Sequence, residues 1–361
     1  MSRPIRFLQV CADPGIAPGA TKGAAQHLRG IAAGLRNLGH DVTTATARAP
    51  DGPFPTEVRP LAELEALAGR CDVVYERCSL GHTDGLDAAR RSGAAFVLEV
   101  NAPLVEEARR YRPGTVDEQH VIAEARLLTE ADVVIVVSDE LARWATERRR
   151  GPVVAIPNGF EPAWFTRAAS PATSDTLVFL GHPKPWHGAD RLVPLLAGLT
   201  ARGHDPRLLV VGGGPGADAL RRLADSRGVG DLVEVTGPLP PADASARLRD
   251  AAIGLAPYPP HDDFYFCPLK IVDYLAAGLP IVASRQGPVA SLVGDAGIVV
   301  PADDEDALAD AVADLLAEPT RRDRLGAAGR ARAHASMTWD HAAAATVAAI
   351  GTHLTVGAVR G

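Results

Sequence analysis

Short apolar segments alternate with amphipathic helical segments along almost the whole chain. Apolar residues at helical spacing, such as Leu28, Ile31 and Leu35, predict a helix that ends at Gly39. The apolar runs of the first half predict buried strands at residues 5–10, 42–46, 72–76, 95–100, 132–138 and 153–157. Such an alternation is typical of α/β proteins with parallel sheets.

The same alternation restarts after residues 166–176, a small and polar stretch that is predicted to be a linker. The second series of predicted strands lies at residues 176–181, 207–213, 232–237, 253–258, 280–284 and 297–300. The pattern therefore predicts two doubly wound, Rossmann-like domains, residues 1–165 and 177–335, facing each other across a cleft. A C-terminal helix within residues 336–361 is expected to pack back on the first domain. Ligands of such sheets bind beyond the carboxyl ends of the strands.

Composition restricts the class of protein. The 361 residues are 47% hydrophobic and 22% charged, with a formal charge of −7, which excludes a disordered or coiled-coil chain and gives no electrostatic reason to bind nucleic acid. The sequence has no 18-residue apolar run and no signal-peptide pattern. The four cysteines show no paired spacing, so we expect free thiols and a cytoplasmic protein.

Lysine is rare in this chain. Among 37 basic residues only Lys22, Lys184 and Lys270 are lysines, and each falls in a Gly- or Pro-marked loop where a helix is predicted to begin. A compact ammonium beside helix amides suits a phosphate group, although chance survival of three lysines is the alternative.

The segment at residues 262–284 carries the strongest local signal. Pro268 suits the first turn of a helix, and Lys270 and Asp273, three residues apart, share one face near its start. The backbone amides there, including that of Leu269, can bind a phosphate, and Asp273 can accept hydrogen bonds from ribose hydroxyls. The alternative is an ordinary amphipathic helix with a surface ion pair.

A second candidate lies in the loop at residues 179–188, which follows a predicted strand. It contains Gly181, Lys184 and His187, and Lys184 is expected to face Lys270 and clamp a diphosphate. His187 either donates to a phosphate or caps its own loop.

Two further patterns are weaker. The run at residues 212–217 has glycine spacing like that of a dinucleotide fingerprint, so Gly213 and Gly214 are candidate nucleotide contacts. The acidic run at residues 303–306 resembles a metal site but suits a helix start equally well, and no metal site is predicted.

Taken together, these motifs resemble the retaining glycosyltransferases of family 4, which have the two-domain GT-B architecture. The matching segments, in order, are GATKGAAQHLRGIAAGLRNLGHDV, YERCSLGH, VLEVNAPLVEEARRYR, VVIVVSDEL, IPNGFEPAWF, LGHPKPWHG, VVGGGPG and FYFCPLKIVDYLAAGLPIVAS. The resemblance implies that the second domain binds a nucleotide-diphosphate sugar as co-substrate, without a cofactor or metal. Lys184, Lys270 and His187 would be the catalytic groups that help the diphosphate to leave.

The resemblance also implies roles for further residues of the donor site. The family's hallmark is two glutamates separated by seven residues; here Asp273 stands at the second position and Tyr265 at the first. Asp263, or backbone amides near Phe266, would replace the missing acid.

In the first domain, a glycine-rich loop containing Gly19, Lys22 and Gly23 is expected to approach the donor phosphates. The expected acceptor-binding residues, which lie at or after the ends of predicted strands, are Glu76, Arg77, Glu99, Asn101 and Glu106.

The expected donor is UDP-glucose or UDP-N-acetylglucosamine, and the expected acceptor is a small polar molecule such as an aminocyclitol in natural-product (antibiotic) biosynthesis. Acidic residues on the first domain favour a cationic acceptor. A lipid-linked or envelope saccharide is the alternative, because Arg148, Arg149 and Arg150 with Trp144 could touch an anionic membrane, although membrane contact is not expected. An epimerase or phosphorylase, a sugar-nucleotide sensor and an NAD(P)-dependent oxidoreductase remain open.

Overall fold

A computed structural model describes residues 3–354, which form two compact units. The first unit contains the described residues up to Gly159, the tripeptide Tyr265–Cys267 and the residues from Trp339 onward. The second unit contains Phe160–Phe264 and Pro268–Thr338.

The first unit is built on a sheet of seven parallel strands in the order β3-β2-β1-β4-β5-β6-β7. The strands are β1 (Arg6–Cys11), β2 (Asp41–Thr46), β3 (Glu57–Pro60), β4 (Val73–Arg77), β5 (Ala95–Val100), β6 (Val133–Val136) and β7 (Val153–Ala155). The helices are α1 (Gly23–Asn37), α2 (Leu64–Ala68), α3 (Asp84–Ser92), α4 (Leu104–Tyr111), α5 (Glu118–Glu130) and α6 (Asp139–Thr146). The central strands are buried on both faces, which explains their continuous apolar runs.

The second unit has a sheet of six parallel strands in the order β10-β9-β8-β11-β12-β13. The strands are β8 (Thr176–Leu180), β9 (Arg207–Val211), β10 (Val233–Val235), β11 (Ile253–Ala256), β12 (Ile281–Ser284) and β13 (Gly297–Val300). The helices are α7 (Leu192–Ala201), α8 (Pro215–Ser226), α9 (Pro241–Leu248), α10 (Leu269–Ala277), α11 (Val289–Val293), α12 (Glu305–Ala317) and α13 (Pro319–Ser336).

Helix α10 is fixed to this sheet by one tyrosine. The Tyr274 hydroxyl accepts a hydrogen bond from the Leu180 amide at 2.7 Å and lies 3.2 Å from two strand carbonyls, those of Val178 and Leu255. Gly254 on β11 makes room for the ring, because a Cβ there would lie 2.6 Å from it. The start of α10 is thereby held near the carboxyl ends of β8 and β11.

A last helix, α14 (Trp339–His353), returns to the first unit and packs on α1. The Trp339 ring packs edge-on against His27 at 5.1 Å and fills the space beside Gly30 that a Cβ would need. Of the segment 336–361 that was expected to contain this helix, residues 355–361 lie outside the described part of the chain.

Two domain predictions need correction. The first unit ends at Gly159, not at residue 165, because Phe160 pairs with Met337 and Thr338 of the second unit. Residues 166–176 are not a free linker. They are packed on the second unit, where the buried Arg322 guanidinium donates to the Pro171 carbonyl at 2.9 Å.

Three short elements were absent from the prediction: β3, α4 and α11. Strand β3, with the sequence EVRP, lies at the edge of its sheet and has no apolar run, so hydrophobic patterning does not detect it.

Candidate functional site

The loops that follow β8 and β9 lie against each other at the carboxyl edge of the second sheet. A Cβ on Gly212 would overlap the Gly181 carbonyl, and His182 Nδ1 lies 2.8 Å from the Gly213 carbonyl oxygen. Gly214, with φ of +89°, precedes the first residue of α8. The structure therefore brings the predicted contacts Gly181, Gly213 and Gly214 together.

Lys270 lies in the first turn of α10 and its side chain is buried among aromatic rings. Its Nζ is 3.7 Å from the centre of the Phe179 ring and 5.4 Å from that of Tyr258. No hydrogen-bond partner for this nitrogen is present among residues 3–354. Burial, which disfavours the charged amine, lowers the pKa of Lys270 to about 7.

His187 occupies the same neighbourhood as a neutral imidazole. Its Nδ1 lies 2.8 Å from the His182 carbonyl, which can only accept, so Nδ1 carries the hydrogen and Nε2 is an acceptor. Burial, followed by the positive charges of Lys270 and Lys184, lowers the pKa of His187 to about 3. His187 therefore holds its own loop through Nδ1, which is the second of its two expected roles, and as a neutral imidazole it has no Nε2 hydrogen to donate to a phosphate.

Lys184 is exposed and immediately precedes the short 3-10 turn Pro185–His187. The positive charges of Lys184 and Lys270 both act on the His187 imidazole, but burial alone accounts for the lowered pKa of Lys270, so the expected facing of the two amines stays a prediction.

Asp273 lies one turn further along α10. Its carboxyl makes no hydrogen bond or ion pair with the part of the chain that the structure describes, and burial raises its pKa to about 7. Pro268 is the N-cap residue, so the helix begins at Leu269, and its first turn contains no acid. A helix start with an amine and no carboxylate favours an anion.

In the first unit, Glu99 at the end of β5 is the centre of a buried polar network. It accepts from Tyr75 at 2.5 Å, from Arg77 at 3.0 Å and from the Asn101 amide. His27 Nε2 lies 2.9 Å from Glu99 Oε1, at an angle outside that of a hydrogen bond. Burial opposes ionisation of Glu99, but His27 first, then Arg77 and Tyr75, outweigh it and lower its pKa to about 2.

Two predicted acceptor residues lie outside this network. Glu76 is fully buried, which corrects its expected role in contacting acceptor: Oε2 accepts from the Leu86 amide, and burial, then Asp84, raise its pKa to about 8. Glu106 accepts from Trp144 Nε1 at 3.0 Å and from Arg148 at 2.9 Å.

The residues at the family's first-acid position belong to the first unit. The Tyr265 hydroxyl donates to Glu107, its carbonyl accepts from Ser138, and the Asn158 amide donates to the Cys267 carbonyl at 2.8 Å. Phe266, between them, stacks edge-on against the Tyr265 ring. These two predicted donor contacts thus belong to the first unit, whereas Lys270 belongs to the second.

The remaining predicted donor residues lie in other loops and at the start of α1. Gly19, with φ of +91°, packs against Gly52, where a Cβ would meet backbone at 2.6 Å. Lys22 is the exposed N-cap residue of α1, which begins at Gly23. Asp263 lies in the loop after β11, where its amide bonds to the His261 ring.

Residues that hold these groups in place were not found from the sequence. Phe179 and Tyr258 look like ordinary core residues, and His27 lies within an amphipathic helix far in sequence from Glu99. The general rule that sites follow strand ends could have indicated Tyr258.

The basic segment around Arg148 and the acidic run at residues 303–306 were the candidates for membrane and metal binding. Arg148 stacks over Trp144 at 4.7 Å and Arg149 is buried, so these residues do not form one exposed basic patch. Within residues 3–354, no helix has the length and apolarity to cross a bilayer, and no three His, Cys, Asp or Glu side chains are grouped as metal ligands. Asp304, in the acidic run, caps α12 through the Ala307 amide at 2.8 Å.

Comparison with known proteins bears on both units. Residues 21–164 match the family model described as Glycosyltransferase Family 4, and residues 174–318 match the model described as Glycosyl transferases group 1. The sucrose-phosphate synthase structure from Thermosynechococcus elongatus is similar over 99% of this chain and 100% of its own, with a TM-score of 0.74 and 20% identity. The fold is therefore GT-B, with two Rossmann-like parallel-sheet units.

Curated relatives match over part of the chain. A GDP-mannose-dependent alpha-(1-6)-phosphatidylinositol monomannoside mannosyltransferase of Mycolicibacterium smegmatis is 34% identical over 45% of this chain and 44% of its own length. A D-inositol 3-phosphate glycosyltransferase of Thermobifida fusca is 28% identical over 77% of this chain and 69% of its own. The chain spans about half the length of the mannosyltransferases it matches. These findings support assignment of the chain to the glycosyltransferases of the group 1 and family 4 type.

Proposed function

We propose that the protein is a retaining, metal-independent glycosyltransferase that moves a sugar from a nucleotide diphosphate to a hydroxyl of a small polyol. One observation carries the proposal. In the second unit, the Lys270 amine has no hydrogen-bond partner among residues 3–354 and lies in the first turn of α10, whose start lacks a side-chain cap; such a helix start suits a phosphate group. Lys184, in the loop after β8, is proposed to reach the same diphosphate.

Departure of the diphosphate is the step these groups would assist. As the bond to the sugar breaks, negative charge grows on the phosphate oxygens, and the two amines and the α10 amides stabilise it. Neutral His187 takes part as an acceptor, through Nε2, for a hydroxyl or an ammonium hydrogen. Asp273 accepts from the ribose hydroxyls. The acceptor hydroxyl attacks from the face that the diphosphate leaves and gives its proton to a phosphate oxygen.

The sugar donor is proposed as a hexose or N-acetylhexosamine nucleotide. UDP-glucose and UDP-N-acetylglucosamine are the donors favoured by family resemblance, and GDP-mannose is favoured by the printed name of the Mycolicibacterium relative. Tyr265 in place of the first acid leaves the sugar without a carboxylate at that position.

The charge of the proposed acceptor is revised by the first unit. A cationic aminocyclitol would need free carboxylates, but Glu99, Glu106 and Glu107 are already hydrogen-bonded. Arg77 has hydrogen-bond donors available. Its side chain carries five N–H groups and makes one hydrogen bond with residues 3–354, to Glu99. A phosphorylated polyol therefore fits better.

A lipid-linked acceptor is the second candidate. It is favoured by the Mycolicibacterium relative, whose name specifies a phosphatidylinositol monomannoside, and it would present the same phosphorylated ring to Arg77. A cytoplasmic location remains a prediction.

The test is a product screen of the purified protein. Each of UDP-glucose, UDP-N-acetylglucosamine and GDP-mannose is combined with inositol, inositol 3-phosphate, an aminocyclitol or phosphatidylinositol vesicles, in buffer with EDTA, and products are identified by mass spectrometry and NMR. We expect an α-linked product with a phosphorylated acceptor. Lys184→Ala should lower turnover on the order of 100-fold.

The matched variants are Arg77→Gln and Arg70→Gln, the latter an exposed arginine of the same unit. Arg77→Gln should reduce the preference in kcat/KM for phosphorylated over plain inositol by about 10- to 100-fold, whereas Arg70→Gln should not. Activity restricted to the aminocyclitol would contradict the acceptor assignment. Unchanged turnover in Lys184→Ala would contradict the diphosphate site.

A further inference from the structure

The amine of Lys270 rests against an aromatic cradle, which we define as the rings of Phe179 and Tyr258. Phe179 is fully buried on β8, and Tyr258 follows β11. Lys270 itself is only 8% exposed. The amine therefore sits above a ring face at 3.7 Å in a region nearly closed to water.

A buried ammonium normally has a carboxylate or several carbonyl partners, and this one has none among the described residues. The titratable groups on the elements around it are His187 and Lys184 from the loop after β8, Tyr258 after β11, and Asp273 on α10 itself; of these, His187 is influenced by the Lys270 charge and Tyr258 lies 5.4 Å from the amine. From α13, Arg330 and His334 contact the Ala276 carbonyl at the far end of α10.

None of these groups neutralises the amine. His187 is neutral and Lys184 is of the same sign, while Asp273 makes no ion pair with the described residues. The attraction of the ring face for a cation offsets only part of the cost of burying an unpaired charge. Burial without a carboxylate partner therefore favours the uncharged amine, and the negative charge of a bound diphosphate would favour the ammonium.

We propose that Phe179 and Tyr258 are positioning residues that hold the Lys270 amine so that binding of a sugar nucleotide places a proton on it. The proposal rests on the proposed function, because the diphosphate is the ligand. The proton comes from a buffer acid, a new N–H bond forms at Nζ, and the proton returns to solvent when the diphosphate leaves. No other reactant is needed.

Because of Asp273, the net number of protons that the protein takes up on binding a sugar nucleotide changes sign with pH. Ribose hydroxyls stabilise the ionised carboxylate, so binding removes a proton from Asp273 wherever it is still protonated. At pH 8 most Asp273 is already ionised and most Lys270 is neutral, so uptake dominates; at pH 6 the populations are reversed and release dominates.

Calorimetry of the full chain tests this. The full-length protein is titrated with UDP-glucose and GDP-mannose at pH 8 and pH 6, each in buffers of different ionisation enthalpy, since the diphosphate of a sugar nucleotide does not itself titrate there. We expect uptake approaching about one proton at pH 8 and net release at pH 6. Lys270→Met should abolish the uptake at pH 8, and Asp273→Asn should abolish the release at pH 6.

A second variant separates positioning from folding. Phe179→Leu keeps an apolar side chain but loses the ring face that stabilises the ammonium, so the pKa of the Lys270 amine should fall. The plot of binding affinity against pH should therefore shift to lower pH by up to about one unit. Phe165→Leu, which replaces a buried ring elsewhere in the second unit, should not move the curve.

The outcomes are distinct. Binding of a sugar nucleotide without proton uptake at pH 8, equal uptake in Lys270→Met, or an unmoved curve in Phe179→Leu would overturn this inference and leave the proposed function standing. Failure of the wild-type protein to bind any sugar nucleotide would overturn the proposed function and the inference together.

Discussion

Glu76 and Glu99 lie at the ends of adjacent parallel strands, and their surroundings give the two carboxyls opposite properties. Around Glu99, the groups His27, Arg77 and Tyr75 compensate for burial and keep it ionised. Around Glu76, burial is opposed only by backbone amides at the start of α3, and its Oε1 has no partner among the described residues. The identity of a residue therefore does not determine its charge; the donors around it do.

Glu76 should make stability depend on pH. Its raised pKa of about 8 means that the folded protein keeps a proton that an unfolded glutamate, with a pKa of about 4.3, releases. Between these values the unfolded state binds fewer protons, so the free energy of unfolding falls as pH rises, by about 1.4 kcal/mol per pH unit. Glu76→Gln should make the decline shallower by this amount in urea titrations from pH 5 to pH 8, and leave the decline that Asp273, with a pKa of about 7, contributes below pH 7.

The control for this experiment is Glu118→Gln, at an exposed position in the first turn of α5. It should retain the wild-type decline. A Glu76→Gln profile parallel to that of the wild type would show that the carboxyl is ionised in the folded state.

At the scale of elements, the buried Arg322 joins the end of α12 to the polar segment at residues 166–176. Arg322 on α13 donates to the Leu315 and Leu316 carbonyls, which end α12, and to the Pro171 carbonyl. The polar composition of residues 166–176 predicted a linker because this partner comes from far along the sequence. Helix ends and loops held in this way cannot be located from local patterns.

Replacement of Arg322 should loosen both segments. Arg322→Met keeps an apolar stem but leaves several buried carbonyls unpaired, and we expect a cost of about 2–5 kcal/mol in the unfolding of the second unit. Calorimetry measures this cost, and limited proteolysis should show faster cleavage within residues 166–176. Arg321→Met, one position earlier and paired with Glu318 on the surface, should behave as wild type. Equal effects of the two substitutions would contradict the role given to Arg322.

At the scale of the whole molecule, the features that could be predicted from the sequence are those that a local pattern of residues produces. Parallel strands buried on both faces give continuous apolar runs, so every strand of the two sheets except β3 was located. The lysines were found because they stand out against arginine at helix starts. The neutral state of His187, the Glu99 network and the assignment of Tyr265–Cys267 to the first unit depend on contacts between distant positions, which no local pattern contains.

Helix α14 is the largest such long-range contribution, because it follows the second unit in the chain but completes the first. Trp339 is buried against His27 and Gly30 of α1. A chain that stops after Thr338 would expose this face of α1, so hydrogen exchange should speed up in α1 and β1 while β8, β11 and α10 keep their protection. Gly351→Ala, where an added methyl group meets open space on α14, should leave exchange unchanged. Loss of protection in β8 and β11 instead would show that α14 supports the second unit.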